Sequence, residues 1–162
     1  MRHPLRLSLL ILPFGFVAGS AAALEVQRST DVPAPVEEVW AAVGAFCSIA
    51  DWHPDVSACE LEEDDVTTYR TYETTDGATF RDQLMSHGAD TQSYSYAMVE
   101  SPLAVTGLIG DFEVGPGPDG TSFIVWQADF ATLAVDQDEA ESRIGEFFSR
   151  GLDAIRAMFE DS

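Results

Sequence analysis

The chain has 162 residues, of which 46% are hydrophobic, and a formal net charge of −20 at pH 7. All eight of its basic residues are arginines. A surface this acidic repels phosphate backbones, which excludes nucleic acid as an expected partner, while the length suffices for one domain with a buried core.

The N-terminus combines a basic start with a short apolar run. Arg2 and Arg6 precede the apolar segment LSLLILPFGFVAG, and the small residues Ala21 and Ala23 follow it. This order is typical of a secretory signal peptide, and the run is too short to cross a bilayer comfortably. We therefore predict a signal peptide over residues 1–23 and a periplasmic or secreted mature protein without a membrane span. An uncleaved anchor or a buried helix is the alternative.

The next elements are predicted from hydrophobic spacing and from prolines. Leu24–Val32 alternates loosely and predicts a first strand. Behind Pro35, apolar residues at helical spacing predict a helix to about Phe46, and glutamates in its first turn favour the helix dipole. Residues 48–52 predict a second short helix that ends before Pro54.

Six further strands are predicted between residues 56 and 130, where turn signals recur at intervals of roughly ten residues. Among these signals are the Asp76-Gly77 pair and the glycine- and proline-rich residues 115–120. A wide apolar stripe then predicts a long helix over residues 137–159. This order predicts an α+β fold in which a curved antiparallel sheet wraps the last helix and leaves a cavity between them.

Several motifs resemble one superfamily over essentially all of residues 24–162, which we treat as a single domain. The motifs are VPAPVEEVWAAVGAF followed by ADWHP, YETTDGATFRDQL, SYSYAMVESPLAVTGLIGDFEV and TSFIVWQADF. The chain resembles the SRPBCC or START-like helix-grip superfamily, and within it the polyketide cyclase/dehydrase-like branch. The resemblance implies a seven-stranded antiparallel sheet gripping a C-terminal helix, an apolar tunnel and ligand binding. Similar sequences often have SPLPV where this one has Ala104, so we expect a less rigid loop here.

The stretch FCSIADWHPDVSACE contains the only two cysteines, Cys47 and Cys59, with His53 between them. A zinc site would need about four ligands at structural spacing, and a reactive cysteine would need a basic setting that this acidic chain lacks. In an exported protein a pair of cysteines most simply forms a disulfide. We therefore predict a Cys47–Cys59 bridge, and neither a metal nor a cofactor.

Catalytic candidates are few, and each has a structural alternative. Trp52 and His53 either pack within a rigid turn or lie at the mouth of the cavity, where His53 would titrate near neutral pH. Arg81 and Asp82 lie on opposite faces of one strand, so one of them is expected to point inward. The catalytic candidates are therefore His53, Arg81 and Asp82.

Ligand-binding candidates are expected where the long helix faces the sheet. Gly151 lies on the apolar stripe, and a glycine in mid-helix often marks close backbone approach or room for a ligand, so we expect it to border the cavity. Tyrosines suit an apolar pocket with a few hydrogen-bonding groups. The candidates are Trp52, Tyr94, Tyr96, Trp126, Phe148, Gly151, Leu152 and Ile155.

Two function hypotheses follow. The first is an exported, non-enzymatic protein that binds a small apolar or aromatic molecule, because the sequence shows a cavity-forming pattern but no recognisable catalytic motif. The second, suggested by the resemblance, is a cyclase- or dehydratase-type enzyme in which His53 or an inward Arg81/Asp82 pair moves protons on a polyketide-like or aromatic substrate. A histidine or carboxylate lining the cavity would favour the second hypothesis. No motif identifies a protein partner.

Overall fold

The computed structural model describes residues 23–133 and 136–160, and the predicted signal peptide lies outside them apart from Ala23. Within these ranges no helix is both long enough and apolar enough to cross a membrane. The elements follow the predicted order. They are β1 (Leu24–Val32), α1 (Val36–Val43), α2 (Ile49–Trp52), β2 (Val56–Glu63), β3 (Thr68–Thr74), β4 (Thr79–Gly88), β5 (Ser93–Glu100), β6 (Val105–Pro116), β7 (Ser122–Thr132) and α3 (Gln137–Glu160).

The seven strands form one sheet in the order β1-β7-β6-β5-β4-β3-β2, and every neighbouring pair is antiparallel. Strands β1 and β2 are therefore at opposite edges although they follow each other in the chain. The segment that holds α1 and α2 crosses from one edge to the other. The predicted helix-grip architecture, a sheet wrapped around a long C-terminal helix, is confirmed.

Helix α3 buries its apolar stripe against the sheet, as its 3.6-residue spacing predicts. Phe148 stacks on Trp126 of β7, with 4.2 Å between the ring centroids. Leu152 and Ile155 of α3 and Ile124 of β7 are almost fully buried in the same core. Each such side chain contributes about 1.5–3 kcal/mol when it is removed from water. The stacking of Phe148 on Trp126 therefore joins α3 to β7.

The first helix ends at Val43, three residues before the predicted boundary. Gly44 caps it, and its N–H donates to the carbonyl of Trp40 at 2.8 Å. The Ser48 hydroxyl then lies 2.7 Å from the carbonyl of Ala45 and 2.9 Å from that of Val43, so its one hydrogen is donated to backbone acceptors that a continued helix would have paired. Local side-chain hydrogen bonding thus replaces the last predicted turn.

The predicted disulfide is confirmed. Cys47, between α1 and α2, is bonded to Cys59 of β2, and their Cα atoms are 5.6 Å apart. Cys59 is the register partner of Tyr72 on β3, so the bridge reaches the sheet on the face that carries the core. It fastens the helical crossover to the edge strand β2.

Candidate ligand-binding pocket

A pocket of about 590 Å³ lies between α3 and the face of strands β3 to β6 that carries the core. Its apolar and aromatic lining residues are Tyr72, Ala78, Phe80, Tyr96, Met98, Pro102, Leu103, Leu108, Ile144, Phe147 and Phe148. Its polar and charged lining residues are Asp55, Thr74, Thr75, Asp76, Arg143 and Arg150. The composition is that of a small-molecule site, which is mostly apolar with a few polar groups.

Stacked rings form one wall of the pocket. Tyr72 of β3 and Phe80 of β4 are register partners, and their rings are nearly parallel with centroids 5.1 Å apart. Phe147 of α3 is nearly parallel to Tyr72, at 6.4 Å between centroids. Three flat rings contributed by two strands and a helix offer a broad apolar surface.

Two phenol groups add hydrogen-bonding capacity to this lining. Burial raises the pKa of Tyr72 and the pKa of Tyr96, so both hydroxyls are neutral at physiological pH. The Tyr96 hydroxyl oxygen accepts a hydrogen bond from Nε1 of Trp126 at 3.0 Å. Because a phenol also carries one donor hydrogen, Tyr96 can still donate to a ligand oxygen.

Charged groups lie at the rim. Arg150 forms an ion pair with Asp55, and Nη2 of Arg143 lies 2.7 Å from Oε1 of Glu139. Both arginine side chains are more than half exposed. A hydrogen bond from the Thr74 hydroxyl lowers the pKa of Asp76, which is therefore ionised at neutral pH.

Behind the pocket wall lies a buried ion pair that sequence reasoning missed. Nε and Nη2 of Arg70 lie 2.9 Å and 2.8 Å from Oδ2 of Asp82, and Nη1 donates to the carbonyl of Phe46 at 2.8 Å. The Arg70 guanidinium also faces the rings of Phe46 and Tyr96, 4.3 Å and 4.9 Å from their centroids. Burial works against the charge on Arg70, but Asp82 and the neighbouring tyrosines outweigh it, so the pKa of Arg70 is raised.

One of Arg81 and Asp82 points inward, as expected, but the inward Arg81/Asp82 pair of the enzymatic hypothesis does not form. Asp82 points inward and is fully buried, but its partner is Arg70, directly opposite it in the β3–β4 register. Residues opposite each other in an antiparallel pair share a face, whereas neighbours along a strand alternate. Arg81 accordingly points away from the core and pairs with Glu62 at 2.8 Å. Neither Arg81 nor Asp82 belongs to the pocket lining.

His53 is buried and fully hydrogen-bonded. Its Nδ1 accepts from the backbone N–H of Asp55 at 3.1 Å, so the hydrogen is on Nε2, which donates to the carbonyl of Phe147 at 2.9 Å. Its ring stacks on that of Phe147 with centroids 3.9 Å apart. Burial lowers the pKa of His53. Of the two readings left open by the sequence, packing within the turn therefore applies, because His53 and Trp52 are both core residues rather than lining residues.

The placement expected for Gly151 is also corrected. A Cβ atom at this position would lie 2.6 Å from Cδ2 of His53 and 2.9 Å from Cζ3 of Trp52. Glycine is required because α3 packs directly on the rings of the Trp52-His53 turn. Gly151 is therefore a close packing contact and does not border the pocket.

Of the eight ligand-binding candidates, Tyr96 and Phe148 line the pocket. The other six belong to the core around it: Trp52, Tyr94, Trp126, Gly151, Leu152 and Ile155. Among the lining residues absent from the list of candidates, Tyr72 lies on the same face of β3 as the buried Arg70 and Thr74. Arg143 and Arg150 could have been found from their spacing of seven, which places them on one side of α3 together with Phe147.

The sequence was compared with known protein families. The family described as polyketide cyclase/dehydrase and lipid transport matches residues 23–160. The chain belongs to this family. No curated protein matches it. Membership of this family supports a ligand-binding or cyclase-like protein of the SRPBCC type.

Solved structures share this architecture. XoxI from Bacillus cereus is 27% identical with a TM-score of 0.80, over 85% of this chain and 96% of that one. The Zhui aromatase/cyclase from a Streptomyces species is 18% identical with a TM-score of 0.70, over 86% and 94%. A START superfamily protein from Mycobacterium smegmatis is 14% identical with a TM-score of 0.71, over 85% and 97%. The last two are similar in fold alone.

Proposed function

We propose that this protein is an exported carrier or binding protein for a small apolar or aromatic molecule, which lies between the sheet and α3. The observation that supports it best is the pocket of about 590 Å³ with stacked rings from Tyr72, Phe80 and Phe147. That volume falls within the ordinary range for ligand sites, and apolar walls with a few polar groups suit reversible binding.

The enzymatic alternative, a cyclase or dehydratase acting on a polyketide-like or aromatic substrate, has less support. Its three candidates, His53, Arg81 and Asp82, are absent from the pocket lining. The two nitrogens of His53 are both engaged by backbone groups, and Asp82 is engaged by Arg70. A general acid or base must reach the proton that it transfers, and these groups are turned away from the pocket.

A binding measurement tests the proposal. N-phenyl-1-naphthylamine is an uncharged aromatic probe that fluoresces in apolar sites, and we expect the protein to bind it. Met98 of β5 lines the pocket, and Met98→Trp should fill part of its volume and weaken binding by about tenfold or more. Met85→Trp is the matched control, because Met85 is 56% exposed and lies outside the pocket.

Two results would contradict the proposal: a parent protein that does not bind the probe, or equal binding by the parent, Met98→Trp and Met85→Trp. Circular dichroism of each variant establishes that it is folded. Native mass spectrometry of freshly purified protein complements the titration, because a co-purified small molecule would appear as a mass shift that disappears on denaturation.

Export is a separate part of the proposal. It is supported by the signal-peptide pattern of residues 1–23 and by the Cys47–Cys59 bridge, which suits an oxidising compartment. Intact-mass measurement of protein recovered from the periplasm or medium should give a chain that begins at Leu24. A mass that retains residues 1–23 would contradict cleavage.

A further inference from the structure

We propose that the pocket selects apolar or aromatic molecules that carry an anionic group, which Arg143 and Arg150 bind at the rim. This inference rests on the proposed function, since it names the class of ligand that the same pocket takes. The observation behind it is the presence of two guanidinium groups at one pocket in a chain of net charge −20.

The two arginines are placed to act together. They are seven residues apart on α3, which is close to two helical turns and about 10 Å along the axis, so both lie on the same side of the helix. Phe147 lies between them in sequence and also lines the pocket. An apolar body resting on Phe147 would therefore have a cation on either side of it.

The other arginines of residues 23–133 and 136–160 are used elsewhere. Arg70 is buried in its ion pair, Arg81 pairs with Glu62, and Arg156 pairs with Glu160 near the end of α3. Arg28 of β1 places its guanidinium against Gly145. None of these four lines the pocket. Because the chain contains no lysine, the pocket rim holds a large share of the available positive charge.

Acidic groups at the rim must be weighed against these cations. Arg143 pairs with Glu139, but both side chains are more than half exposed, and an exposed pair of this kind contributes little stability. A ligand anion can therefore replace Glu139 at small cost. Asp76 repels an anion. It lies in the turn between β3 and β4, where hydrogen bonds from the Thr74 hydroxyl and the Ala78 N–H hold its carboxylate in place.

Arg150 is partly neutralised by Asp55, yet it retains binding capacity. The contact with Asp55 uses Nη2, and a guanidinium has five N–H donors. Its planar donor arrangement matches carboxylate and other oxyanions. With the anionic group at the rim, only the apolar body has to leave water, so the ligand avoids the cost of burying an unpaired charge.

A pair of dyes with one aromatic framework tests the inference. 8-Anilinonaphthalene-1-sulfonate carries a sulfonate that N-phenyl-1-naphthylamine lacks. We expect Arg143→Gln and Arg150→Gln each to weaken binding of the sulfonate dye by about threefold to tenfold and to leave the uncharged dye within about twofold. Sodium chloride should weaken binding of the sulfonate dye only, because it screens charges at an exposed rim.

Arg156→Gln is the matched control. It removes the same charge from the same helix and the same kind of (i,i+4) pair with a glutamate, at a residue outside the pocket. It should change neither affinity. Arg143→Lys keeps the charge and should recover part of the sulfonate affinity, which separates loss of charge from altered folding.

The outcomes distinguish this inference from the function on which it rests. If the parent binds neither dye, the proposed function fails and the inference fails with it. If the parent binds the uncharged dye but Arg143→Gln and Arg150→Gln leave the sulfonate affinity unchanged, the pocket binds apolar molecules without selecting anions. Equal losses in Arg156→Gln and Arg143→Gln would show an effect of overall charge and would also overturn the inference.

Discussion

His53 donates its Nε2 hydrogen to the backbone carbonyl of Phe147 at 2.9 Å and stacks on the ring of the same residue. The turn after α2 is thereby joined to the middle of α3. Because Phe147 and Phe148 line the pocket, a residue outside the pocket positions one of its walls. The consequences of this contact can be measured in several ways.

Stability should depend on pH through His53. Burial lowers the pKa of His53 in the folded state below its ordinary value of 6.5, so the unfolded chain binds the proton more readily. The contribution of His53 is therefore fully present above about pH 6.5 and is lost as pH falls from there towards the folded-state pKa, with a slope of up to about 1.4 kcal/mol per pH unit.

Urea denaturation between pH 5 and 7.5 would measure this slope. His53→Gln, which cannot titrate in this range, should be less stable at pH 7 but should show a shallower pH dependence than the parent. Identical slopes for the two proteins would mean that protonation of His53 is not linked to folding.

The two buried glycines of α3 should respond differently to alanine. Gly151→Ala places a methyl group against the buried rings of His53 and Trp52, which cannot move aside cheaply, so a loss of about 1–3 kcal/mol is expected. At Gly145 the methyl would meet only the guanidinium of Arg28, the end of a flexible side chain. Gly145→Ala should then be neutral or stabilising by up to about 1 kcal/mol through helix propensity.

Thermal or urea unfolding of both variants tests this contrast. Gly151→Leu should be still less stable than Gly151→Ala, because it adds more volume at the same contact. A Gly151→Leu protein that folds with parental stability and binds N-phenyl-1-naphthylamine more weakly would instead place Gly151 at the pocket.

Breaking the Arg70–Asp82 ion pair by changing one partner should lower the free energy of unfolding more than replacing both residues with apolar ones. Asp82→Asn leaves the Arg70 guanidinium buried without a countercharge, which should cost about 3–5 kcal/mol. Asp82→Leu combined with Arg70→Met removes both charges and should recover much of that loss. Unfolding free energies for Asp82→Leu, Arg70→Met and the double variant form a cycle, and additive losses would show that the two charges do not stabilise each other.

The Cys47–Cys59 bridge should contribute about 3 kcal/mol, since it links two residues separated by 12 positions and so closes a loop in the unfolded chain. Replacing both cysteines with serine should lower the unfolding free energy by about that amount. Thiol titration of the denatured parent should detect two thiols after reduction and none before it. Thiols that react before reduction would contradict the bridge in the isolated protein.

Local patterns in the sequence are enough to predict the order of the elements, most of their boundaries and the fold class. These depend on local patterns: alternation in Leu24–Val32, Asp76-Gly77 between two strands, and a 3.6-residue stripe in α3. The run of six strands was predicted to begin at residue 56, and β2 does begin at Val56. The disulfide was also predictable, because two cysteines in a chain predicted to be exported have few other uses.

Which polar groups are buried together depends on the pairing of strands and could not be predicted from local patterns. From the sequence, Arg81 and Asp82 are neighbours, but the β3–β4 register places Arg70 opposite Asp82 and turns Arg81 outward. Most of the residues that line the pocket could not be predicted from the sequence for the same reason. Its walls combine strands β3 to β6 with α3, and residues so far apart in the chain are brought together by strand register and helix packing, which local periodicity does not encode.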